Sequence, residues 1–136
     1  MIVVDTNVIG YLYLTAEHSA HAEQALRRDP KWAAPLLWRS ELRSVLAHYV
    51  RRGLLSLEDA CHIMEHAAAL LRGREYTVAS PHVLRLVAAS TCSAYDCEFV
   101  ALAQDLDVPL VTEDRQILQQ FPAHSVSLES FCGSRC

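Results

Sequence analysis

The sequence predicts an α/β domain in which helices flank a mainly parallel central sheet. Short β-branched or apolar runs, which are typical of buried strands, alternate with longer segments whose apolar residues recur at helical spacing. Most intervals between strands hold two helical segments, which is the layout of an α/β fold. No repeat or linker-like segment interrupts this pattern. We therefore expect one domain over residues 1–136, with a core over about 2–131 and a short polar C-terminal tail.

Local signals predict each element in the first half of the chain. Ile2 to Val4 form a β-branched strand, and the polar Asp5-Thr6-Asn7 after it favours a helix start. The helix at 37–52 is the clearest, because its apolar residues recur at helical spacing and Gly53 follows a basic last turn. The predicted elements are a strand at 2–4, a short helix at 8–14, an amphipathic helix at 16–28 ended by Asp29-Pro30, a strand at 32–34 and the helix at 37–52.

Serine caps mark two helices of the second half. Ser56 with Asp59 resembles a capping box, and Ser93 with Asp96 repeats the pattern. Pro81 suits the first turn of another helix. The predicted elements are a helix at 56–71 followed by Gly73, a strand at 76–79, a helix from 81 to about 90, a helix at 93–106, a strand at 108–112, a short helix through 119 and a short edge strand at 125–128.

Composition narrows the class of protein. Half of the 136 residues are hydrophobic, so we expect a packed globule with one core. A net charge of −4 argues against nucleic-acid binding through bulk positive charge. Scattered arginines could still form a rim that faces phosphates, apart from the acidic residues. These are Arg39, Arg43, Arg51, Arg52, Arg72, Arg74 and Arg115.

Several features predict a cytoplasmic protein with no membrane segment. No apolar run approaches the roughly 20 residues of a membrane span. The N-terminus enters a strand directly and lacks the basic-then-apolar layout of a signal peptide. The cysteines are odd in number and have no framework spacing, so we expect free thiols; they are Cys61, Cys92, Cys97, Cys132 and Cys136.

Four acidic residues, Asp5, Glu41, Asp96 and Asp114, fall where this fold would bring carboxylates together. Asp5 and Asp114 follow strands, and ligands of parallel sheets bind beyond the strands' carboxyl ends. Helical spacing turns Glu41 and Asp96 towards the core. Gathered carboxylates repel one another and lose hydration, so a fold tolerates them mainly by binding cations. Oxygen-only ligands suit Mg²⁺ or Mn²⁺ and indicate cleavage of a phosphodiester bond.

Each of these acids also has a purely structural interpretation. Asp5 and Asp114 could cap the helices that follow them, and Asp96 fits the capping box of Ser93. Glu41 could pair with a basic residue such as Arg39 or Arg43. A zinc site at His62 and His66, with Cys61 nearby, is less favoured than a solvated helix face, because no fourth ligand has suitable spacing. The same holds for the pair His18 and His21.

In these segments the chain resembles the PIN domain family, and within it the VapC-like toxins. The matching blocks occur in family order: "VVDTNVIG", "WRSELRSVL", "SAYDCEFVALA", "PLVTEDRQIL" and "VSLESF". The resemblance covers 2–131 and implies a single PIN-like domain with a metal-dependent ribonuclease site. By position, Asp5, Glu41, Asp96 and Asp114 match the family's acidic quartet, while Thr6, Asn7, Ser93 and Thr112 match polar positions around it.

The resemblance implies an endoribonuclease that uses Mg²⁺ or Mn²⁺, most often the toxin of a toxin–antitoxin pair. Asp5 and Asp96 are then the expected direct ligands, with Glu41 and Asp114 acting through water or a second ion. The expected partners are RNA, a small antitoxin and a second copy of the chain, for which the helices at 16–28 and 56–71 could supply an interface. A stand-alone PIN nuclease of RNA processing, a phosphatase or DNA nuclease, and a non-catalytic interaction module remain alternatives.

Overall fold

A five-stranded parallel sheet forms the centre of the protein, in a computed structural model that describes residues 1–14 and 17–133. Every paired neighbour runs parallel, and the strand order is β3-β2-β1-β4-β5. The strands are β1 (Ile2–Val4), β2 (Trp32–Pro35), β3 (Glu75–Tyr76), β4 (Leu110–Val111) and β5 (Ser125–Val126). The predicted α/β class with a mainly parallel sheet is confirmed.

Helices connect the strands, two at a time until β4. From β1 the chain moves outward to β2 and β3, then returns to place β4 on the other side of β1. Ligands of open parallel sheets bind where the strand order reverses in this way. The helices are α1 (Thr6–Tyr13), α2 (Ser19–Arg28), α3 (Leu37–Arg51), α4 (Leu57–Leu70), α5 (Ser80–Ala88), α6 (Ala94–Leu106), α7 (Arg115–Gln120) and α8 (Leu128–Cys132).

The core lies between the sheet and its helices. Strands β1 and β2 are buried along their whole length, as expected of strands covered on both faces. Helix α6 packs against β1, β2 and β4 and buries the run from Phe99 to Ala103. Trp32 and Trp38 are fully buried. Because α6 is held so firmly, its first turn is fixed relative to the ends of the central strands.

Side-chain caps fix where several helices begin. Ser56 and Ser93 each accept a hydrogen bond from the backbone N–H of the aspartate three residues on, at 3.0 and 3.1 Å. Both predicted capping boxes are therefore present on the serine side. Ser127 caps α8 in the same way, through the N–H of Ser130 at 3.1 Å.

The sequence-based boundaries needed correction at three places. The predicted strand at 76–79 is displaced, because β3 covers only Glu75–Tyr76, which pair with Ala34 and Pro35. The strand predicted at 108–112 is reduced to Leu110–Val111. The strand predicted at 125–128 ends at Val126, and the cap at Ser127 turns the chain into α8. The predicted helix start at Ala16 lies outside the described residues, as does Cys136.

Two further expectations bear on surroundings and redox state. Across residues 1–14 and 17–133, no helix is both long and apolar enough to cross a membrane. Cys61 is an exposed free thiol, whereas the free thiols of Cys92 and Cys97 are buried.

Candidate functional site

One cavity beyond the carboxyl ends of β1 and β4 collects all four acidic side chains. Asp5 follows β1 directly, Glu41 lies in the second turn of α3, Asp96 lies in the first turn of α6, and Asp114 precedes α7. The cavity has a volume of about 390 Å³. Its walls are formed by Asp5, Thr6, Asn7, Glu41, Ser44, Val45, Asp96 and Asp114. The structure thus brings together the four acids and two of the four polar residues that the sequence singled out.

Asp5 is the most buried acid of the cavity, with 8% of its surface exposed. Its Oδ1 accepts the backbone N–H of Thr6 at 2.8 Å, and its Oδ2 accepts the hydroxyl of Thr112 at 2.7 Å. Burial raises the pKa of Asp5 from 3.8 to about 6, against the lowering effect of those two hydrogen bonds. Glu41 and Asp96 raise this pKa further by charge repulsion. Asp5 therefore caps α1, and its raised pKa means that the site disfavours the ionised form of its carboxyl group.

Thr112 ties the ends of the two central strands together. Its side chain is fully buried, donates to Asp5, and accepts the backbone N–H of Asp114 at 3.0 Å. The backbone N–H of Asp5 also donates to the carbonyl of Val111 at 3.0 Å. Thr112 lies behind the carboxylates and positions two of them through one hydroxyl.

Replacing Thr112 with Val should lower the free energy of unfolding by about 1–3 kcal/mol at pH 8, because two buried polar groups lose their partner. Thr112→Ser keeps the hydroxyl and loses only a buried methyl, which costs about 1 kcal/mol. Urea unfolding of both variants is the measurement. A Val variant at least as stable as the Ser variant would show that the hydroxyl does not hold the site together.

Glu41 is held by a threonine of α1. The hydroxyl of Thr6 donates to Oε1 of Glu41 at 2.8 Å, and burial raises the pKa of Glu41, with Asp96 and Glu98 adding repulsion. The alternative pairing with Arg39 is wrong, because Arg39 forms a two-pronged ion pair with Glu75 at 2.6 and 2.8 Å. Within the described residues, Glu41 has no cation within ion-pair distance.

Asp96 and Asp114 combine a structural role with a place in the cavity wall. Burial raises the pKa of Asp96, and repulsion from Asp114 raises it further. Asp114 caps α7 with Oδ1, which accepts the N–H groups of Gln116 and Ile117 at 2.9 and 3.2 Å. No bond to its Oδ2 is found in the described part of the chain. The capping interpretation is thus correct for Asp114 without excluding a role in the cavity.

The donor chemistry of the cavity suits a hard divalent cation, since every side-chain ligand it offers is an oxygen. Three of its carboxyl groups have raised pKa values, so their ionised forms are disfavoured. A positive charge nearby would stabilise those ionised forms. In the described residues, no three His, Cys, Asp or Glu side chains stand close enough together to enclose an ion. The carboxylates therefore line the cavity without converging on one point.

Among residues 1–14 and 17–133, neither histidine pair belongs to a group of side chains that could hold a metal ion. His62 and His66 are exposed on α4, which agrees with a solvated helix face, and His66 contacts the ring of Tyr13. His18 instead lies 3.4 Å from Glu113.

The predicted arginine rim is only partly available. Arg39 is paired with Glu75, and Arg74 donates to the carbonyls of Trp32 and Leu70. Arg43 and Arg51 line a separate groove between α3 and α4.

Three residues near the cavity were missed by the sequence reasoning. Ser44 and Val45 form part of its wall, and Glu98 raises the pKa of Glu41. Ser44 and Val45 follow Glu41 by three and four residues, the spacing that places side chains on one helix face. That signal was present in the sequence. Glu98 gave no such signal, because its nearness to Glu41 depends on how α3 and α6 pack.

Comparison with known proteins gives consistent matches. The family model of the PIN domain matches residues 2–122. Ribonuclease VapC3 of Pyrobaculum aerophilum is 30% identical over 125 residues, which is 90% of this chain and 95% of that protein. The crystal structure of PAE2754 from the same organism superposes with a TM-score of 0.77 at 20% identity, covering 96% of this chain and 92% of the other. The structure of a toxin–antitoxin complex from Klebsiella pneumoniae superposes with a TM-score of 0.71 at 17% identity. The match covers 95% of this chain and 98% of the other.

Proposed function

Because this chain belongs to the PIN domain family, we propose that it is a divalent-metal-dependent endoribonuclease acting at the Asp5, Glu41, Asp96 and Asp114 cavity, and that it is the toxin of a toxin–antitoxin pair. The resemblance found in the sequence motifs agrees with the family match. The proposed place of action is the cytoplasm.

The observation that carries this proposal is the gathering of four carboxylates on one cavity, whose wall holds no basic side chain among the described residues. Three of these groups have raised pKa values, so the protein loses stability by keeping them ionised. A fold keeps such an arrangement when a bound cation offsets the repulsion. An interaction module whose acids served only as helix caps would not need Glu41, which caps no helix.

Asp5 and Asp96 are the proposed direct ligands, and Glu41 and Asp114 would act through water or a second ion. A bound Mg²⁺ or Mn²⁺ would supply activated water and stabilise the charge that develops on the phosphate. The protein's own part is to orient the carboxylates. Thr112 and the Thr6 N–H fix both oxygens of Asp5, and the Thr6 hydroxyl fixes Glu41, so little side-chain freedom remains to be lost when a cation binds.

Cleavage of RNA should require Mg²⁺ or Mn²⁺ and stop when EDTA is added. Restoring the ion in excess over EDTA should restore the activity, which controls for irreversible damage. RNA, single-stranded DNA and a small phosphoester are assayed side by side, so that a ribonuclease is separated from a DNA nuclease and a phosphatase. Cleavage that persists unchanged in EDTA would contradict the metal-dependent mechanism.

A small antitoxin is the proposed partner, and it would place a basic side chain at the acidic cavity. A guanidinium can engage carboxylates in a two-pronged manner and would neutralise the repulsion among them. Co-expression of the upstream open reading frame with a tagged form of this chain should yield a copurifying small protein that inhibits cleavage. Absence of such a protein, together with harmless overexpression of active enzyme, would contradict the toxin assignment and leave the nuclease assignment intact.

A homodimer is also proposed, with α4 at the interface. Leu54 and Leu57 at the start of this region are 67% and 71% exposed, and an apolar groove of about 540 Å³ runs between α3 and α4. Light scattering coupled to size exclusion gives the mass directly. A mass of 15.2 kDa, that of one chain, would contradict the dimer.

A further inference from the structure

A second, smaller cavity opens beside the acidic one. Its volume is about 180 Å³, less than half that of the acidic cavity. Thr6, Asn7 and Val45 form walls of both cavities, so the two spaces adjoin. The remaining walls come from Gly10, Tyr11, Leu14 and Tyr49. Helices α1 and α3 thus hold an aromatic and apolar recess directly next to the carboxylates.

The amide of Asn7 gives this recess a polar edge. The Oδ1 atom of Asn7 is enclosed by protein and has no hydrogen-bond partner in the described residues. Enclosing a carbonyl oxygen without a hydrogen-bond partner destabilises the protein, and a ligand that reoriented the amide and paired with it would recover part of that cost. An asparagine amide carries donors and an acceptor, which match the hydrogen-bonding edge of a nucleobase.

The two tyrosines differ in how far they are engaged. The ring centroid of Tyr11 lies 5.0 Å from that of His18, so the Tyr11 ring is already in contact with another ring. Tyr49 is half-buried, and no ring contact to it is found among the described residues. Tyr49 is therefore the side chain available for stacking.

Gly10 sets the depth of the recess. A Cβ atom placed on Gly10 would meet no atom within 4 Å, although the residue is buried in α1. A side chain at this position would therefore extend into open space within the recess instead of into packed protein.

We propose that this recess binds the base of a nucleotide next to the cleaved phosphodiester, stacked on Tyr49 and hydrogen-bonded to the amide of Asn7. The proposal rests on the ribonuclease function proposed for the adjoining cavity. Because the two cavities share walls, a base bound in the recess would lie next to the carboxylates of the acidic cavity. The small volume of the recess suits a single flat heterocycle, and bases stack favourably on aromatic side chains.

Uncharged nucleosides test the recess independently of catalysis. Adenosine, guanosine, cytidine and uridine are titrated into the protein without metal, and the ¹H–¹⁵N NMR spectrum is followed. At least one nucleoside should shift the side-chain amide signal of Asn7 and the backbone signal of Gly10. Gly10→Leu should remove the shift of the Asn7 side-chain signal by filling the recess, whereas Tyr13→Ala, which lies on α1 outside the recess, should keep both shifts. No shift with any of the four nucleosides would overturn the proposal.

Substrates that lack single bases provide the second test. Loss of the base at one position beside the cleaved bond should lower kcat/KM of the native protein by about 10-fold. Tyr49→Ala should lower kcat/KM on intact RNA by a similar factor and make the enzyme insensitive to that missing base. If the Tyr49 variant stays as sensitive as the native protein, the assignment of Tyr49 is wrong. If no RNA is cleaved at all, the proposed function fails, and the nucleoside titration still decides whether the recess binds a base. Gly10→Leu that failed to fold would leave Tyr49→Ala to serve in the titration.

Discussion

Replacing Asp96 with Asn should reduce RNA cleavage by roughly 100- to 1,000-fold while the protein stays folded. The side chain is half-buried in the cavity wall, and its pKa is raised by burial and by Asp114. The substitution keeps size and shape but removes the charge that would hold a cation. The N–H of residue 96 would still donate to Ser93, and the Asn side chain keeps an oxygen that can accept from Ser93 as the Asp96 carboxylate does, so α6 should still begin at the same residue.

The chain itself supplies a matched control for this variant. Asp59 occupies the same position of α4 as Asp96 does of α6, and its N–H donates to Ser56 at 3.0 Å, against 3.1 Å for the Ser93 cap. Asp59 is exposed and lies outside the acidic cavity. Asp59→Asn therefore removes the same first-turn charge without touching the site, and it should leave cleavage unchanged. If both variants lose activity equally, or neither does, Asp96 acts as a helix residue and not as a ligand.

Much of the candidate site could be predicted because it depends on short-range rules. Asp5 and Asp114 follow buried strands, and all parallel strands of one sheet end on the same side. The inward orientation of Asp96 follows from helical spacing along α6. These signals act over a few residues, and the fold class then carries them to one place in space.

The parts that sequence reasoning missed depend on packing between distant segments. Arg39 is nearer in sequence to Glu41 than to Glu75, yet it forms its ion pair with Glu75. The reason is that β3 lies beside β2 and brings the Glu75 carboxylate within reach of Arg39. The shift of β3 to Glu75–Tyr76 has the same origin, since pairing with β2 sets where the strand begins. The recess between α1 and α3 likewise depends on how the two helices cross. The sequence around Gly10 or around Tyr49 does not predict that crossing.

The same contacts that shape the site also make it costly to maintain. Asp5 caps α1 and accepts from Thr112, so the fold cannot move this carboxylate into solvent without losing both bonds. Glu41 and Asp96 stand near enough to raise its pKa. A cation that binds the cavity should therefore stabilise the folded protein, and the size of that effect should depend on how many of the carboxyl groups are ionised.

Without metal, the free energy of unfolding should fall as pH rises from about 4 to about 7, and Asp5→Asn should remove most of that fall. The pKa of Asp5 is about 6 in the folded protein against 3.8 for the ordinary side chain. Between these values the folded state holds a proton that the unfolded state has lost, so raising the pH favours unfolding. The full penalty, roughly 2–3 kcal/mol, applies only above the folded pKa.

Asn keeps the cap on Thr6 but cannot accept the Thr112 hydroxyl through its NH₂ group, which costs about 1 kcal/mol. The variant should therefore be more stable than the native protein by about 1 kcal/mol at pH 8, and less stable or equal at pH 4. Urea unfolding at both pH values measures this, and Mg²⁺ should stabilise the native protein more than the variant. A variant that is less stable at pH 8 as well would mean that the hydrogen bond from Thr112 to the Asp5 carboxylate stabilises the fold by more than ionisation of Asp5 destabilises it.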